Sequence, residues 1–215
     1  MRRAAASPTL FAALVAAFVS TVSPRAARAD EAAVTEEAPP PEPYRKGLVL
    51  DASLGAIGFF GNLGKVSPPG PWLHAQLGYE VLRWLMFFGE GELAFTDTSR
   101  AEPAPRTRAF AIFGAGGGAR FTARLTERFA AYGQASIGAM KANVAENALG
   151  NLGFADAESL APYMCGRLGV EYHQIDRHFG VGLALGARLA QGFGSALGAD
   201  TPVVGDAAVT LRYAF

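Results

Sequence analysis

The sequence predicts an all-β protein, an eight-stranded antiparallel up-and-down transmembrane β-barrel with a plugged polar lumen. Three observations predict it: eight stretches of alternating apolar and polar residues, alternating long and short connections between them, and a C-terminal stretch that ends on an aromatic residue. In a strand, successive side chains point to opposite faces, so one face can meet lipid while the other lines a lumen. The 215 residues, of which 26 are glycine and 18% are charged, suffice for one such barrel.

The last stretch, Val203–Phe215, shows the pattern most clearly. Tyr213, Leu211 and Val209 share one apolar face, whereas Arg212 and Asp206 lie on the other. Its length suits a tilted strand that crosses a bilayer, which needs about 9–11 residues. The final Phe215 resembles the C-terminal signal of bacterial outer-membrane barrels. That resemblance implies that Phe215 is an assembly signal and that the barrel-assembly machinery is a partner.

The remaining strands are predicted from the same alternation. They are Gly47–Gly58, Trp72–Val81, Leu85–Thr96, Arg108–Thr122, Phe129–Met140, Pro162–His173 and Phe179–Ala190. Their predicted outer faces carry, in order, Leu48, Leu50 and Leu54; Leu73, Leu77 and Tyr79; Phe87, Leu93 and Phe95; Phe113 and Phe121; Ile137; Met164, Leu168 and Val170; and Val181, Leu183 and Leu185. The fourth strand fits least well, because Phe110 and Ile112 fall on its inner face. An even number of strands is typical of bacterial outer-membrane barrels.

The connections alternate in length. The long ones are Phe60–Pro71, Asp97–Thr107, Lys141–Ala161 and Gln191–Pro202, and the short ones are Leu82–Trp84, Ala123–Arg128 and Gln174–His178. Outer-membrane barrels have this asymmetry, with short turns in the periplasm. A soluble sandwich or barrel, the competing fold, does not require it. Within the longest connection, Ala142–Leu160, we predict a short helix around Val144–Leu149. This connection is also our first candidate for a partner-binding site.

The N-terminal region is predicted to precede the barrel. Residues 1–29 have the features of a signal peptide: Arg2 and Arg3, an apolar core at Leu10–Val19, and small residues around a cleavage site after Ala29. The apolar core is too short for the alternative, a retained membrane helix. Residues 30–46 are an acidic, proline-rich stretch that we interpret as a periplasmic linker, and residues 47–215 form the barrel. We expect the protein in the outer membrane, in contact with its lipid.

Charged residues fall on the predicted inner face of many strands. The predicted lumen charge network comprises Asp51, Glu80, Glu90, Glu92, Arg120, Arg167, Glu171, Arg188, Asp206 and Arg212. An eight-stranded lumen is just wide enough to be filled by side chains, so these charges must pair. We therefore expect a salt-bridge plug; a narrow channel is the alternative. The excess of acids over arginines predicts a protonated glutamate near Glu90 and Glu92, or a water-filled cavity. Trp72, Trp84 and Tyr213 are predicted membrane-interface anchors.

The sequence gives little support for other classes of function. The sequence has no basic patch of the kind that would indicate a nucleic-acid partner. A single cysteine, Cys165, cannot form an internal disulfide, and three scattered histidines have no metal-ligand spacing, so we expect no metal and no cofactor. His74 could approach Ser53 across a strand pair, but both point into a packed lumen. We therefore expect no enzyme; a lipid-modifying deacylase or acyltransferase is the alternative.

Three stretches carry a narrower resemblance. They read GYEVLRWLMFFGEGELAFTDTS (Gly78–Ser99), RAFAIFGAGGG (Arg108–Gly118) and QIDRHFGVGL (Gln174–Leu183). They resemble the myxobacterial outer-membrane proteins linked to adventurous gliding motility, the CglE-type group. This resemblance implies a non-enzymatic envelope component that works with other outer-membrane and periplasmic motility proteins. No functional-site motif is transferred by it.

Overall fold

The computed structural model describes residues 47–101, 108–173, 178–196, 200 and 202–215. The predicted signal peptide and linker, residues 1–46, lie outside the described residues. So does most of the third short turn, at 174–177.

Eight antiparallel strands form a closed barrel in which each strand pairs with its neighbours in sequence. They are β1 Leu48–Phe59, β2 Gly70–Leu82, β3 Leu85–Asp97, β4 Ala109–Arg124, β5 Phe129–Asn143, β6 Ala161–His173, β7 Phe179–Ala190 and β8 Val203–Ala214. The ring closes where β1 pairs with β8, from Val49 opposite Ala214 to Phe59 opposite Val204. The predicted eight-stranded antiparallel barrel is confirmed.

The observed strands differ from the predicted ones only near their ends. β7 has the predicted bounds, whereas β5 continues to Asn143 rather than ending at Met140. There Ala142 still pairs with Ile112, and Asn143 with Ala111, because the ladder continues into the rim of the barrel. The hydrophobic alternation weakens in this region, so the sequence alone underestimates the strand.

Exposure alternates along the strands, except in the glycine run of β4, and separates two kinds of surface. The outer wall is apolar, with Leu54 62% exposed and Leu168 71% exposed. On the inner wall, polar side chains such as Asp51, Gln76 and Arg120 are buried. Such a large exposed apolar surface is unusual for a protein surrounded by water.

The long connections lie at one end of the barrel, the loop side, and the short connections at the other, the turn side. The loop side carries the short helices α1 (Leu63–Val66) and α2 (Ala148–Asn151) and three 3₁₀ turns, at Ala145–Asn147, Ala155–Glu158 and Gln191–Phe193. A helix was predicted around Val144–Leu149, and the first 3₁₀ turn and the start of α2 lie there. No helix in the described ranges is both long enough and apolar enough to span a membrane.

The loops cover the loop-side mouth with an apolar cluster, the cap. From the loops it contains Leu63, Leu149, Phe154, Ala157 and Phe193, and from the inner wall it contains Ile57, Phe59, Trp72, Phe110, Ile112, Met140, Tyr163 and Val204, among others. Phe110 and Ile112, which fitted the predicted strand poorly, therefore do point inward. They are apolar because they pack under the loops rather than against the charged part of the lumen.

We predict that the cap stabilises the fold. The Leu149→Ala variant tests this prediction. Leu149 is fully buried, so its truncation is expected to cost about 2–5 kcal/mol of unfolding free energy. Leu160→Ala is the matched control, because Leu160 lies in the same loop but is 72% exposed; it should change stability by less than about 0.5 kcal/mol. Guanidinium titration of the refolded barrel measures both. Equal losses in the two variants would show that the loops do not form a packed cap.

Candidate functional site

The charged middle of the lumen is the candidate functional site. The structure places all the predicted lumen charges on the inner wall, in two groups at different heights. The turn-side group comprises Asp51, Glu80, Arg120, Glu171 and Arg212, and the loop-side group comprises Glu90, Glu92, Arg167, Arg188 and Asp206. Most of these side chains are almost completely buried, and Glu80 is the most open, at 19%.

The turn-side group spans the lumen from β1 and β8 to β4 and β6. Asp51 and Arg212 lie opposite each other on neighbouring strands, and Asp51 Oδ2 is 3.5 Å from Arg212 Nη1. The same oxygen accepts a hydrogen bond from Arg120 Nη1 at 3.2 Å. Arg120 also pairs with Glu171, and Arg212 pairs with Glu80. Each arginine thus binds two carboxylates, which ties five strands together through one layer: β1, β2, β4, β6 and β8.

The arginine of this layer on β4 has an aromatic support. The guanidinium carbon of Arg120 lies 3.5 Å from the ring centroid of Tyr132, on the neighbouring strand β5. A cation over an aromatic face is attracted to the ring, more strongly where water is excluded. Tyr132 therefore helps to hold Arg120 directed at Asp51 and Glu171.

The loop-side group is centred on Asp206. Its two oxygens accept hydrogen bonds from Arg167 Nε at 3.0 Å and from Arg188 Nη2 at 2.7 Å. Arg188 also pairs with Glu92 through Nη1. Glu92 accepts a second hydrogen bond, from Trp72 Nε1 at 2.9 Å. These contacts join β2, β3, β6, β7 and β8 across the lumen.

Glu90 is bound mainly by neutral side chains. Tyr163 donates its hydroxyl to Oε1 at 2.8 Å, and Gln76 donates to Oε2 at 3.2 Å. His74 Nε2 lies 3.0 Å from Oε2, and it donates there when that nitrogen carries the proton. Three side chains thus contact the two oxygens of Glu90. The expected protonated glutamate near Glu90 and Glu92, or a water-filled cavity, stays a prediction.

Trp72 is not a membrane-interface anchor, and that prediction was wrong. It is 1% exposed and points into the lumen, as its position two residues before His74 in the same strand requires. Its ring stacks on His74, with centroids 5.0 Å apart, and the guanidinium carbon of Arg167 lies 4.8 Å from its centroid. Strand parity already placed Trp72 inside, whereas the general preference of tryptophan for interfaces placed it outside.

The other predicted anchors lie on the outer wall at the turn side. Trp84 is 51% exposed and stacks on Phe121, and Tyr213 meets Phe215 edge to face with centroids 4.9 Å apart. Phe129 and Tyr172 form another exposed pair at the same end. This concentration of aromatic side chains at the turn side is a feature that the sequence analysis missed. Trp84 and Tyr213 as anchors, and Phe215 as an assembly signal, stay predictions.

The candidate catalytic pair, Ser53 and His74, lies among the described residues of the lumen. Ser53 and His74 lie directly opposite each other on β1 and β2, yet no hydrogen bond joins them. His74 Nδ1 is buried and has no hydrogen-bond partner. Among the described histidine, cysteine and acidic residues, no group of three could hold a metal ion.

No protein-family model matches the chain, and no curated protein matches it. Among solved structures, it resembles neisserial surface protein A at 15% identity, over 79% of this chain and 97% of that one, with a TM-score of 0.58. It also resembles Ail, the attachment invasion locus protein of Yersinia pestis, solved with the heparin analogue sucrose octasulfate. That match has 13% identity, covers 80% of this chain and 100% of Ail, and has a TM-score of 0.53.

The chain has the fold of the eight-stranded outer-membrane barrels. Because the identities are so low, the likeness shows the fold alone. The resemblance to the CglE-type group finds no support in these comparisons.

We predict that the loop-side charge group stabilises the barrel. The Asp206→Ala variant tests this prediction. Removing this carboxylate leaves Arg167 and Arg188 with fewer partners in a buried site, at an expected cost of about 3–5 kcal/mol of unfolding free energy. Glu127→Ala, at an exposed turn, is the control and should cost less than about 0.5 kcal/mol. Denaturant titration measures both. If Asp206→Ala unfolds at the same midpoint as Glu127→Ala, the buried pairs do not hold the barrel together.

Proposed function

We propose that this chain is a non-enzymatic outer-membrane protein with a closed lumen and a structural or interaction role in the envelope. The observation that carries the proposal is the closed ring with an apolar outer wall and an internally paired, charged interior. In hydrocarbon every backbone polar group must be satisfied within the protein, and a closed barrel achieves this because it has no edge strand.

The outer wall supports membrane insertion. Leu54, Leu77, Ile137 and Leu183 are among the large apolar side chains that project from different strands, each at least 59% exposed. Burying apolar surface is worth about 25 cal/mol per Å², so a wall of this kind is strongly stabilised by lipid. At the turn side, exposed Trp84 and Tyr213 suit the aromatic girdle of such barrels.

The lumen supports a closed barrel rather than a channel. Two layers of ion pairs cross it, and the cap covers its loop side. An ion on this path would have to displace arginines that are each held by carboxylates. A channel would need an open axis, and a lipid-modifying enzyme would need a hydrogen-bonded Ser–His pair. The described residues provide support for neither.

An ordered loop supports an interaction role. Within Ala142–Leu160, Glu158 Oε1 accepts hydrogen bonds from the amides of Leu149 at 2.9 Å and Gly150 at 3.0 Å. These bonds, together with the burial of Leu149 in the cap, fix one side of the loop. The other side, with Asn151, Asp156 and Leu160, is exposed in a defined shape that can bind a partner.

The proposed partners include motility proteins of the envelope. This part of the proposal rests on the resemblance of Gly78–Ser99, Arg108–Gly118 and Gln174–Leu183 to the CglE-type group. Crosslinking and co-purification from outer membranes of the native host, together with the surface motility of a deletion strain, test it. Unchanged motility with no motility protein captured would remove this part and leave the barrel proposal standing.

We predict that the two tryptophans respond differently to lipid. In vesicles with bromine on the acyl chains, the Trp72→Phe variant, which keeps only the exposed Trp84, should lose most of its fluorescence. The Trp84→Phe variant, which keeps only the buried Trp72, should be quenched several-fold less. Strong quenching of Trp72 would contradict its place in the lumen. Absence of quenching in both variants would contradict insertion into the bilayer.

We also predict that the folded barrel does not conduct ions in steady steps. The measurement is single-channel recording in planar bilayers, with the folded state checked by the altered gel mobility of the unheated protein. Stable, large conductance steps from folded protein would show that the two charge layers leave an open path, and the channel would then replace the closed barrel.

A further inference from the structure

The outer wall carries a trough across β4 to β8. Its floor is a row of small residues that pair directly with one another across adjacent strands: Ala119, Ala135, Gly166, Ala187 and Gly205. Each side chain on this row adds at most a methyl group to the wall. The row therefore leaves a depression that crosses the strands at right angles.

On β6 and β7, long apolar side chains form the two sides of the trough. On β6, Met164 and Leu168 lie two residues before and after Gly166 and are 64% and 71% exposed. On β7, Leu189 and Leu185 lie on the two sides of Ala187 in the same way. A cavity of about 550 Å³ lies over this floor on the side of Met164 and Leu189, and its lining includes Ala135, Ile137, Met164, Gly166 and Leu189.

The dimensions favour a thin, long occupant. Positions four residues apart on one strand are separated by about 13 Å, and the side chains of Met164 and Leu168 fill part of that distance. The space left is too narrow for an α-helix, whose diameter with side chains is about 10–12 Å. Four strand spacings, from β4 to β8, give a length of about 19 Å. A single extended hydrocarbon chain has this shape.

The lining offers no charge to a ligand. Arg188 contributes to the cavity lining, but its guanidinium turns inward to Glu92 and Asp206. At the loop side, the ring of Phe60 lies over Gly205, so close that a Cβ on that glycine would be 2.8 Å from Phe60 Cε2. Phe60 thus ends the trough with another apolar surface.

We propose that this trough binds one fatty acyl chain of a membrane lipid and holds it longer than the surrounding lipid. The inference rests on the proposed insertion into a membrane, because the trough is continuous with the apolar wall that faces lipid there. A second copy of the barrel is the competing occupant. It would present a convex wall, whereas a flexible chain can follow the floor and contact both sides.

Two glycines make a matched pair of variants. A Cβ built on Gly166 or on Gly91 meets no atom within 4 Å, so leucine fits at either position without strain. Both glycines face outward, Gly166 on the floor of the trough and Gly91 on β3, outside the cavity lining. Gly166→Leu fills the trough, and Gly91→Leu adds the same side chain elsewhere on the wall.

The test is native mass spectrometry of the barrel released from phosphatidylcholine nanodiscs into mild detergent. Flotation with vesicles and altered gel mobility first establish that each variant is inserted and folded; failure of the wild type to float would overturn the proposed function and this inference with it. Inserted wild type and Gly91→Leu are expected to retain one phosphatidylcholine molecule. In Gly166→Leu, the fraction of barrels that retain this lipid is expected to fall at least tenfold.

Equal retention by Gly166→Leu and wild type would overturn the inference while leaving insertion intact. Release of an inserted wild type as a lipid-free dimer would also overturn it and would assign the trough to a second copy. Ala187→Leu fills the same floor from the next strand and should repeat the loss. Retention by Ala187→Leu at the wild-type level would contradict the assigned position of the chain.

Discussion

The pairing of the first strand with the last is the constraint on which the rest of this structure depends. β1 and β8 pair along nearly their whole length, so none of the eight described strands has an unpaired edge. An open edge exposes amide and carbonyl groups that would be costly in hydrocarbon and prone to pair with other chains. Once the ring is closed, the alternation of side chains divides the protein into an outside and an inside.

That division explains why the two surfaces differ so strongly. The outside can be apolar without packing against other parts of the chain, because lipid covers it under the proposed function. The inside is narrow, so charges placed there must find partners within it. Arg120, Arg188 and Arg212 each bind two carboxylates from different strands, which connects opposite walls of the ring. At the loop side the inside is apolar instead, because the loops close over it.

Strand parity predicted much of this architecture from the sequence. It placed eight strands and the inward direction of residues such as Asp51 and Arg188. It could not say which arginine meets which acid, because contacts such as Asp51 with Arg120 join β1 to β4 across the lumen. Those contacts depend on how far each strand is shifted along its neighbour, which no local pattern encodes. The trough was missed for the same reason, since its floor appears only when five strands are aligned.

The errors of the sequence analysis came from general preferences that local geometry overrides. Trp72 was placed at the membrane interface because tryptophan favours that position, although its parity with His74 put it inside. Phe110 and Ile112 were judged unusual for an inner face because the lumen was expected to be polar throughout. Their inward direction becomes reasonable once the loops supply an apolar partner, and the sequence of the loops alone did not reveal this cap.

Disulfide crosslinking of the closing pair tests the central claim most directly. Leu50 and Tyr213 lie directly opposite each other on β1 and β8, at a spacing that a disulfide can bridge. In a Cys165→Ala background, Leu50→Cys with Tyr213→Cys should crosslink readily in the membrane-inserted protein. Leu50→Cys with Val209→Cys, four residues out of register, should not. Failure of the first pair, or equal crosslinking of both, would contradict a ring closed in this register.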